Sequence, residues 1–260
     1  MKSMKSMKKL LFCFLSFTSI CISEEIPKGA KALIDNYPQI KTYENNKIIF
    51  KDGSSLVYDD GKKKSFKELL ENPDLEDQFT YAYSTDTSFK PLIKNFDPGR
   101  IRNEEFFKKI YGSSKESVKK NLKSIMWCPK IAGQTIRITN VNGIAEKVKQ
   151  LSADIDKHPE FAKYIKNIGG TFNWRNIAGT KRISMHSFGM TIDINTSFSH
   201  YWQWDCDCTN EDAHVKYKNS IPLQLVQIFE KHGFIWGGKW YHYDTMHFEY
   251  RPELIFNKSK

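Results

Sequence analysis

The apolar and polar positions that follow residue 120 are spaced as in a compact α+β domain. Ile144, Val148, Leu151 and Ile155 recur at helical spacing and form one apolar face over about three turns. This pattern predicts a helix whose apolar face covers one side of a sheet.

A second helix is indicated by the residues that would begin and end it. Ser220 is a suitable N-cap, Pro222 suits the first helical position, and Gly233 stands just past the predicted end. The apolar residues between these signals are expected to face inward.

Three short strands are predicted between and after these helices, at residues 171–175, 189–195 and 246–250. In the second and third strands, apolar residues alternate with polar ones, so Asp193 and His247 fall on polar faces. The predicted fold class is therefore α+β, with a small mixed or antiparallel sheet flanked by helices.

The chain before residue 119 carries local structural signals but no recognisable chemistry. Residues 47–50 and 55–58 flank Asp52-Gly53, a dipeptide that favours the tight turn of a hairpin. We interpret residues 24–118 as an accessory region and residues 119–260 as the main domain.

Two capping boxes predict helix starts in this accessory region. Ser65 with Glu68 begins a short helix that ends at Pro73, and Ser113 with Glu116 repeats the signature further on.

The N-terminus has the composition of a targeting segment. Four lysines precede an uncharged run over residues 10–23, which is short for a membrane span and ends in the small residue Ser23. We interpret residues 1–23 as a signal peptide and expect an exported protein of the periplasm or cell envelope. A lipoprotein signal ending at Cys21 and an uncleaved anchor are the alternatives.

The chain stays basic after cleavage, because the net charge falls from +10 to +6 when the four lysines are removed. A basic exported protein is attracted to polyanions, and cell wall polymers and anionic lipid surfaces satisfy this as well as nucleic acid does. Solubility is the simpler explanation of the charge. We predict no nucleic-acid partner and no stable membrane span after cleavage, and the sequence leaves the oligomeric state open.

Three cysteines remain in the mature chain, Cys128, Cys206 and Cys208. Neighbours in a Cys-x-Cys pair rarely bridge each other, so we expect a disulfide from Cys128 to Cys206 or Cys208. A second metal at the acidic Cys-x-Cys stretch is the less favoured interpretation.

The candidate chemistry lies on the last two predicted strands. If these strands are neighbours, His186, Asp193 and His247 converge on one point as three nitrogen and oxygen ligands, which suits a single catalytic zinc ion with its fourth position left to water. Zinc lowers the pKa of bound water toward neutrality, and a carboxylate that is not a ligand must then accept the proton. Asp244, one short turn before His247, is the candidate for that base.

Other side chains are candidates for substrate contacts. Arg175 and Arg182 are predicted to stabilise the negative oxygen that develops during attack on an amide, with Arg175 preferred. The walls of a substrate groove could come from four tryptophans, Trp202, Trp204, Trp236 and Trp240, although core or rim packing explains each of them equally well.

Two ordered motifs carry a family resemblance that covers roughly residues 120–255. Residues 182–193, RISMHSFGMTID in one-letter code, resemble the S-x-H-x-x-G-x-A-x-D motif of the D-alanyl-D-alanine carboxypeptidase and L-alanyl-D-glutamate endopeptidase family, peptidase family M15, and residues 244–249, DTMHFE, resemble its closing D-x-x-H block. Residues 174–182, WRNIAGTKR, resemble the segment that supplies a substrate-stabilising arginine in the endolysin-like branch. Thr191 replaces the usual small residue, and Asp244 stands where the family often has glutamate.

The resemblance implies roles for individual residues and a substrate class. His186, Asp193 and His247 would bind zinc, Asp244 would be the base, and the fold would be that of hedgehog proteins and D,D-peptidases. The implied reaction is hydrolysis of an amide bond in peptidoglycan stem peptides, with an L-Ala–D-Glu endopeptidase favoured over a D,D-carboxypeptidase.

A zinc-containing wall-binding protein without catalysis is the alternative of a different class. Asp244 discriminates between the two, because a binding module has no need for a carboxylate beside an open metal position.

Overall fold

The computed structural model describes residues 25–89 and 93–255. The predicted signal peptide, residues 1–23, lies outside the described residues. Within the two described ranges, no helix combines the length and the apolar character needed to cross a bilayer.

The described chain is mixed α+β, as predicted. Its α-helices are α1 (Lys28–Asn36), α2 (Phe66–Glu71), α3 (Glu104–Tyr111), α4 (Lys115–Lys120), α5 (Ile144–Ile155), α6 (Ala162–Ile165), α7 (Trp202–Cys206) and α8 (Leu223–Lys231).

Its strands form small antiparallel sheets. They are β1 (Ile40–Glu44), β2 (Lys47–Phe50), β3 (Ser55–Val57), β4 (Leu122–Trp127), β5 (Gln134–Thr139), β6 (Thr191–Asp193), β7 (Phe234–Trp236) and β8 (His247–Tyr250). The first sheet has the order β1-β2-β3, the second pairs β4 with β5, and the third has the order β6-β8-β7. Strand β8 is thus the centre of the sheet that carries the candidate chemistry.

Two predictions for the accessory region are confirmed. Strands β2 and β3 form the expected hairpin, and Gly53 has a φ of 85°, which glycine adopts without strain. Helix α2 begins at the capping box of Ser65 and Glu68, in which each side chain bonds the other residue's backbone N–H.

The second predicted helix start was wrong by one residue. Ser114, not Ser113, is the N-cap of α4, and its partner is Ser117 rather than Glu116. Helix α4 then ends early, because Leu122 already belongs to β4, where cross-strand pairing with Thr139 replaces helical bonds.

The two longer helices of the main domain are close to their predicted positions. Helix α5 matches the apolar spacing from Ile144 to Ile155, and it packs against β4 and α8. Helix α8 starts later than predicted, since Pro222 is its N-cap instead of its first residue. The hydroxyl of Ser220, the expected cap, lies 3.1 Å from His200 Nε2 instead.

The predicted strand at residues 171–175 does not form. Only isolated bridges flank it, at Gly170 with Asp193 and at Asn176 with Ile183. Gly170 has a φ of 152°, and the Thr171 hydroxyl donates to Arg137 O, so the segment crosses β5 and β6 as an irregular connection. The other two predicted strands form over shorter spans, as β6 and β8.

The hydrophobic core runs through both predicted regions of the chain. Phe106 and Phe107 of α3 belong to the same buried cluster as Phe229 of α8 and Phe248 of β8. The Phe107 ring also packs against Phe188, 5.9 Å between centroids, and Phe188 lies in the same short turn as the candidate ligand His186. The residues before 119 therefore support the sheet that carries the candidate ligands, and the domain boundary at 118/119 stays a prediction.

The expected disulfide was wrong. Cys206 bridges Cys208, and Cys128 is a buried free thiol. Asp207, between the bridged cysteines, has a φ of 50°, and this left-handed turn brings the two side chains together. Cys128 directly follows β4, and its backbone N–H donates to Ser152 Oγ of α5; burial raises the pKa of its thiol to about 12.

Candidate active site

Strand pairing places two of the candidate ligands opposite each other. Strands β6 and β8 are antiparallel neighbours, and Asp193 is in register with His247. His186 arrives from a short 3₁₀ turn, Met185–Phe188. That turn ends at Gly189, whose φ of 66° lets the chain enter β6.

Asp193 contacts both histidines with different oxygens. Its Oδ2 lies 3.0 Å from His186 Nε2, and its Oδ1 lies 2.9 Å from His247 Nδ1. One potential ligand atom from each of the three residues lies within 4.8 Å of the others. The structure therefore brings together the three side chains that the sequence nominates as a metal site.

The orientation of His186 is fixed by backbone and hydroxyl oxygens. Its Nδ1 lies 3.1 Å from Thr171 O and 2.8 Å from Thr191 Oγ1. The Thr191 hydroxyl is itself 3.1 Å from Thr171 O, a carbonyl that can only accept, so the network assigns the imidazole hydrogen to Nδ1. His186 Nε2 then presents its lone pair toward Asp193.

The orientation of His247 is fixed by a buried carboxylate. His247 Nε2 lies 3.0 Å from Glu249 Oε2, and Arg102 and Arg251 hold the Glu249 carboxylate at 2.6 Å and 3.0 Å. With Nε2 engaged in this way, Nδ1 is the nitrogen that faces Asp193. Sequence reasoning missed Glu249, although it shares the polar face of β8 with His247, two residues away.

The electrostatics of the site favour positive charge. Burial by itself would lower the pKa of His247, but hydrogen bonds to Asp193 and Glu249 outweigh burial and raise that pKa to about 10. Burial likewise opposes ionisation of Glu249, yet Arg102 outweighs it and holds the pKa of Glu249 below its usual range. The Asp193 carboxylate, which lies between two imidazoles, thus favours the binding of a cation.

The residues present fit a divalent metal ion. A lone-pair nitrogen and a carboxylate oxygen 3.0 Å apart repel unless a proton or a cation lies between them. Two imidazole nitrogens and one carboxylate also form the donor set that zinc prefers in open catalytic sites. His186 would bind through Nε2, His247 through Nδ1, and Asp193 through its carboxylate.

Asp244 lies beside this triad with an unused oxygen. Its carbonyl accepts from the His247 backbone N–H at 3.2 Å, so one tight turn separates the two side chains. Its Oδ1 is buried and has no hydrogen-bond partner among the described residues. Burial, followed by the charge of Asp193, raises the pKa of Asp244 to about 6. A buried carboxylate oxygen without a partner, on the wall of a cleft, is suited to accept a proton from a water or substrate molecule.

Gly237 allows this close approach. A Cβ at this position would lie 2.6 Å from the Asp244 carbonyl oxygen, and the Asp244 N–H donates to Gly237 O at 3.0 Å. A side chain at residue 237 would therefore displace the turn that carries Asp244.

A cleft of about 440 Å³ opens over these residues, and both predicted arginines line it. Arg175 is exposed, with its guanidinium bonded to Asn176 O. Arg182 is more enclosed, 12% exposed, and lies 3.5 Å from Glu71 and 3.6 Å from Glu211. Its Nε is the atom that lies 3.5 Å from Glu71 Oε1, and this buried nitrogen makes no well-aligned hydrogen bond among the described residues.

The tryptophans differ in their access to the cleft. Trp202, Trp204 and Trp240 line it, whereas Trp236 is fully buried with its indole N–H bonded to Thr245 O. Trp204 is 63% exposed and packs edge-on against Tyr201, at 5.3 Å between centroids. Trp204 is therefore the side chain of this group best placed to meet a substrate.

His242 reaches the cleft wall but is engaged through both ring nitrogens. Its Nδ1 lies 2.7 Å from Asp97 and its Nε2 lies 2.8 Å from Glu211 O. Arg100 completes the network through 2.7 Å contacts with Asp97 and with Glu211. This network packs the floor of the cleft and leaves no His242 nitrogen for a metal.

Comparison with known proteins identifies one family match. Residues 178–250 match the family model described as D-alanyl-D-alanine carboxypeptidase. The matched span includes His186, Asp193, Asp244 and His247, and it begins just after Arg175. No curated protein and no solved structure matches the chain. This part of the chain is thus similar to that peptidase family, and the residues before 178 fall outside the match.

Proposed function

We propose that the chain is an exported zinc-dependent peptidase that hydrolyses an amide bond in peptidoglycan stem peptides. The observation that carries this proposal is the meeting of His186, Asp193 and His247 beside Asp244, whose buried Oδ1 has no partner among the described residues. The family match over residues 178–250 supports the same reaction class.

The three converging residues would hold the metal, and Glu249 would keep His247 in the binding orientation. When bound, zinc polarises the scissile carbonyl and makes water acidic enough to lose a proton near neutral pH. The remaining steps belong to the side chains around it.

Asp244 is proposed as the group that moves protons. Its Oδ1 would accept a proton from the attacking water and return it to the nitrogen of the leaving amine. A pKa raised to about 6 suits both halves of this task, because the carboxylate is ionised at neutral pH yet still basic enough to take a proton.

Arg175 and Arg182 are proposed to stabilise the negative charge that develops on the carbonyl oxygen. Both line the cleft, and the Arg182 guanidinium is held there by ion pairs with Glu71 and Glu211. Arg175 is more exposed and would approach the substrate from the open side.

An endopeptidase acting between L-alanine and D-glutamate is the favoured specificity, on the resemblance of residues 174–182 to the endolysin-like branch. A D,D-carboxypeptidase is the second candidate, and the match to the D-alanyl-D-alanine carboxypeptidase family favours it. Export to the periplasm or cell envelope is proposed from the character of residues 1–23, which agrees with a cell wall substrate.

The test uses chain from residue 24 onward, loaded with zinc and incubated with purified sacculi. Mass analysis of the released fragments identifies the bond: release of stem peptides that lack L-alanine supports the endopeptidase, and release of free D-alanine supports the carboxypeptidase. Asp244→Asn, which keeps the shape of the side chain, is expected to lower the rate at least 100-fold. No fragments from the parent protein, together with equal wall binding by parent and variant, would instead support a non-catalytic wall-binding protein.

A further inference from the structure

The segment from Asp97 to Arg102 lies before the family match yet forms part of the wall behind the candidate ligands. Trp240 donates its indole N–H to Pro98 O at 2.6 Å, and Arg251 donates to Gly99 O at 3.1 Å. These bonds attach the segment to the strand and turn that carry His247 and Asp244. Arg102 is the residue of this segment that reaches toward the ligands.

Arg102 contacts a ligand's carboxylate partner directly. Its Nη2 lies 2.6 Å from Glu249 Oε2, and the same oxygen lies 3.0 Å from His247 Nε2. Glu249 is fully buried, and the Arg102 side chain is 12% exposed, so little water competes for this pair. The Arg102 guanidinium and the His247 imidazole thus contact the same oxygen of the Glu249 carboxylate.

Arg251 has a different place in this arrangement. It binds the other oxygen of Glu249, Oε1, at 3.0 Å, and it also binds Glu253 at 2.5 Å and Gly99 O. Arg251 therefore neutralises Glu249 and holds its Oε1. Arg102 is the arginine whose Nη2 contacts Oε2, and its Nε also lies 3.5 Å from Oε1.

The position of Oε2 matters because it determines which nitrogen of His247 faces Asp193. A carboxylate that accepts from the far nitrogen of a metal-bound histidine fixes the ring orientation and raises its basicity, and loss of such a partner commonly weakens metal binding about 10- to 100-fold. Charge-assisted contacts near 2.6 Å, like the one between Arg102 and Glu249, are among the stronger hydrogen bonds in proteins.

We infer that Arg102 is a positioning residue of the metal centre, supplied by the region outside the family match, and that it sets zinc affinity by holding Glu249 against His247. The inference rests on the proposed metal site. The region before residue 119 is then part of the active centre and not a detachable accessory.

The experiment measures the zinc dissociation constant by competition with a chromogenic chelator, without any assay of catalysis. Arg102→Gln is expected to weaken zinc binding about 10- to 100-fold. Arg102→Lys should recover part of that loss, because lysine keeps the charge but not the planar fork of donors. Arg100→Gln is the matched control. Arg100 is likewise an enclosed arginine in an ion pair and lies two residues before Arg102, but its partners are Asp97 and Glu211 instead of Glu249.

A double-mutant cycle separates positioning from general destabilisation. If Arg102 acts through Glu249, the double variant Arg102→Gln/Glu249→Gln binds zinc about as weakly as Glu249→Gln alone. Thermal unfolding and circular dichroism of each variant show whether the fold persists. If Arg102→Gln does not fold, the zinc dissociation constant of Arg102→Lys is compared with that of the parent instead.

The outcomes distinguish this inference from the proposed function. Zinc binding by Arg102→Gln within about twofold of the parent, or an equal loss in Arg100→Gln, would overturn the positioning role while leaving the metal site intact. Additive losses in the double variant would also overturn it. If the parent chain itself does not bind zinc, the proposed function fails and this inference fails with it.

Discussion

Asp193 Oδ1 lies 2.9 Å from His247 Nδ1, and the two residues face each other in register on neighbouring antiparallel strands. This pair joins sequence segments that are 54 residues apart. The register also places His186, which precedes β6 by one turn, on the second oxygen of the same carboxylate. The candidate metal site is thus a direct product of how β6 pairs with β8.

The first prediction concerns metal content. His186→Ala and His247→Ala each remove one of three ligands and should lower the bound zinc by at least tenfold at limiting zinc, whereas Asp244→Ala should retain the parent level. Elemental analysis of purified protein after dialysis measures this. Equal zinc in all three variants would contradict the assigned ligands.

The second prediction concerns the pH dependence of stability without metal. The folded pKa of Asp244 is raised to about 6, so the folded state favours the protonated acid, and ionisation destabilises the fold progressively from about pH 4 to pH 6. Asp244→Asn removes the ionisation. In chelator, it should therefore raise the free energy of unfolding by about 2 to 3 kcal/mol at pH 7.5 and by little at pH 4.

Urea unfolding at both pH values measures this difference. Asp212→Asn is the control, because Asp212 is 81% exposed and its surface ion pair with Lys94 contributes little to the free energy of unfolding. An equal gain for Asp244→Asn at the two pH values would show that burial of this charge is not the cause.

The third prediction concerns the cysteines. In protein made from residue 24 onward and denatured without reductant, one thiol, that of Cys128, should react with iodoacetamide, and the peptide with Cys206 and Cys208 should be two hydrogens lighter than its reduced form. Peptide mass mapping measures both. A cross-linked peptide that contains Cys128 would contradict the pairing.

The fourth prediction concerns the exposed tryptophan at the cleft. Trp204→Ala should raise KM for sacculi about tenfold with little change in kcat, because an indole that becomes covered only on binding contributes on the order of 1 to 2 kcal/mol. Met126→Ala is the control, since Met126 is 50% exposed but does not line the cleft. A fall in kcat with KM unchanged would show that Trp204 acts on the reaction and not on binding.

Local sequence patterns predicted the elements whose conformation is determined by a few neighbouring residues. The apolar spacing of α5, the capping box at Ser65 and the turn at Gly53 are local signals, and each is present in the structure. The alternation in β6 and β8 also put Asp193 and His247 on polar faces, where the structure brings them together with His186. Their roles as metal ligands stay predictions.

The predictions that were wrong or missing concern residues whose contacts depend on partners far away in the sequence. Residues 171–175 lack strand pairing because Thr171 bonds across to Arg137 and His186, which no local pattern reveals. The Cys206 pairing follows from the left-handed turn at Asp207, against the general preference of such cysteines. Arg102 was missed because its partner, Glu249, lies 147 residues away.

The most direct test of the metal site is diffraction at the zinc absorption edge from crystals of the zinc-loaded protein. The predicted result is an anomalous peak about 2.0 to 2.2 Å from His186 Nε2, His247 Nδ1 and a carboxylate oxygen of Asp193. No peak between these residues, with density instead at the acidic group of Asp59, Asp60 and Asp74, would contradict the site on which the proposed function rests.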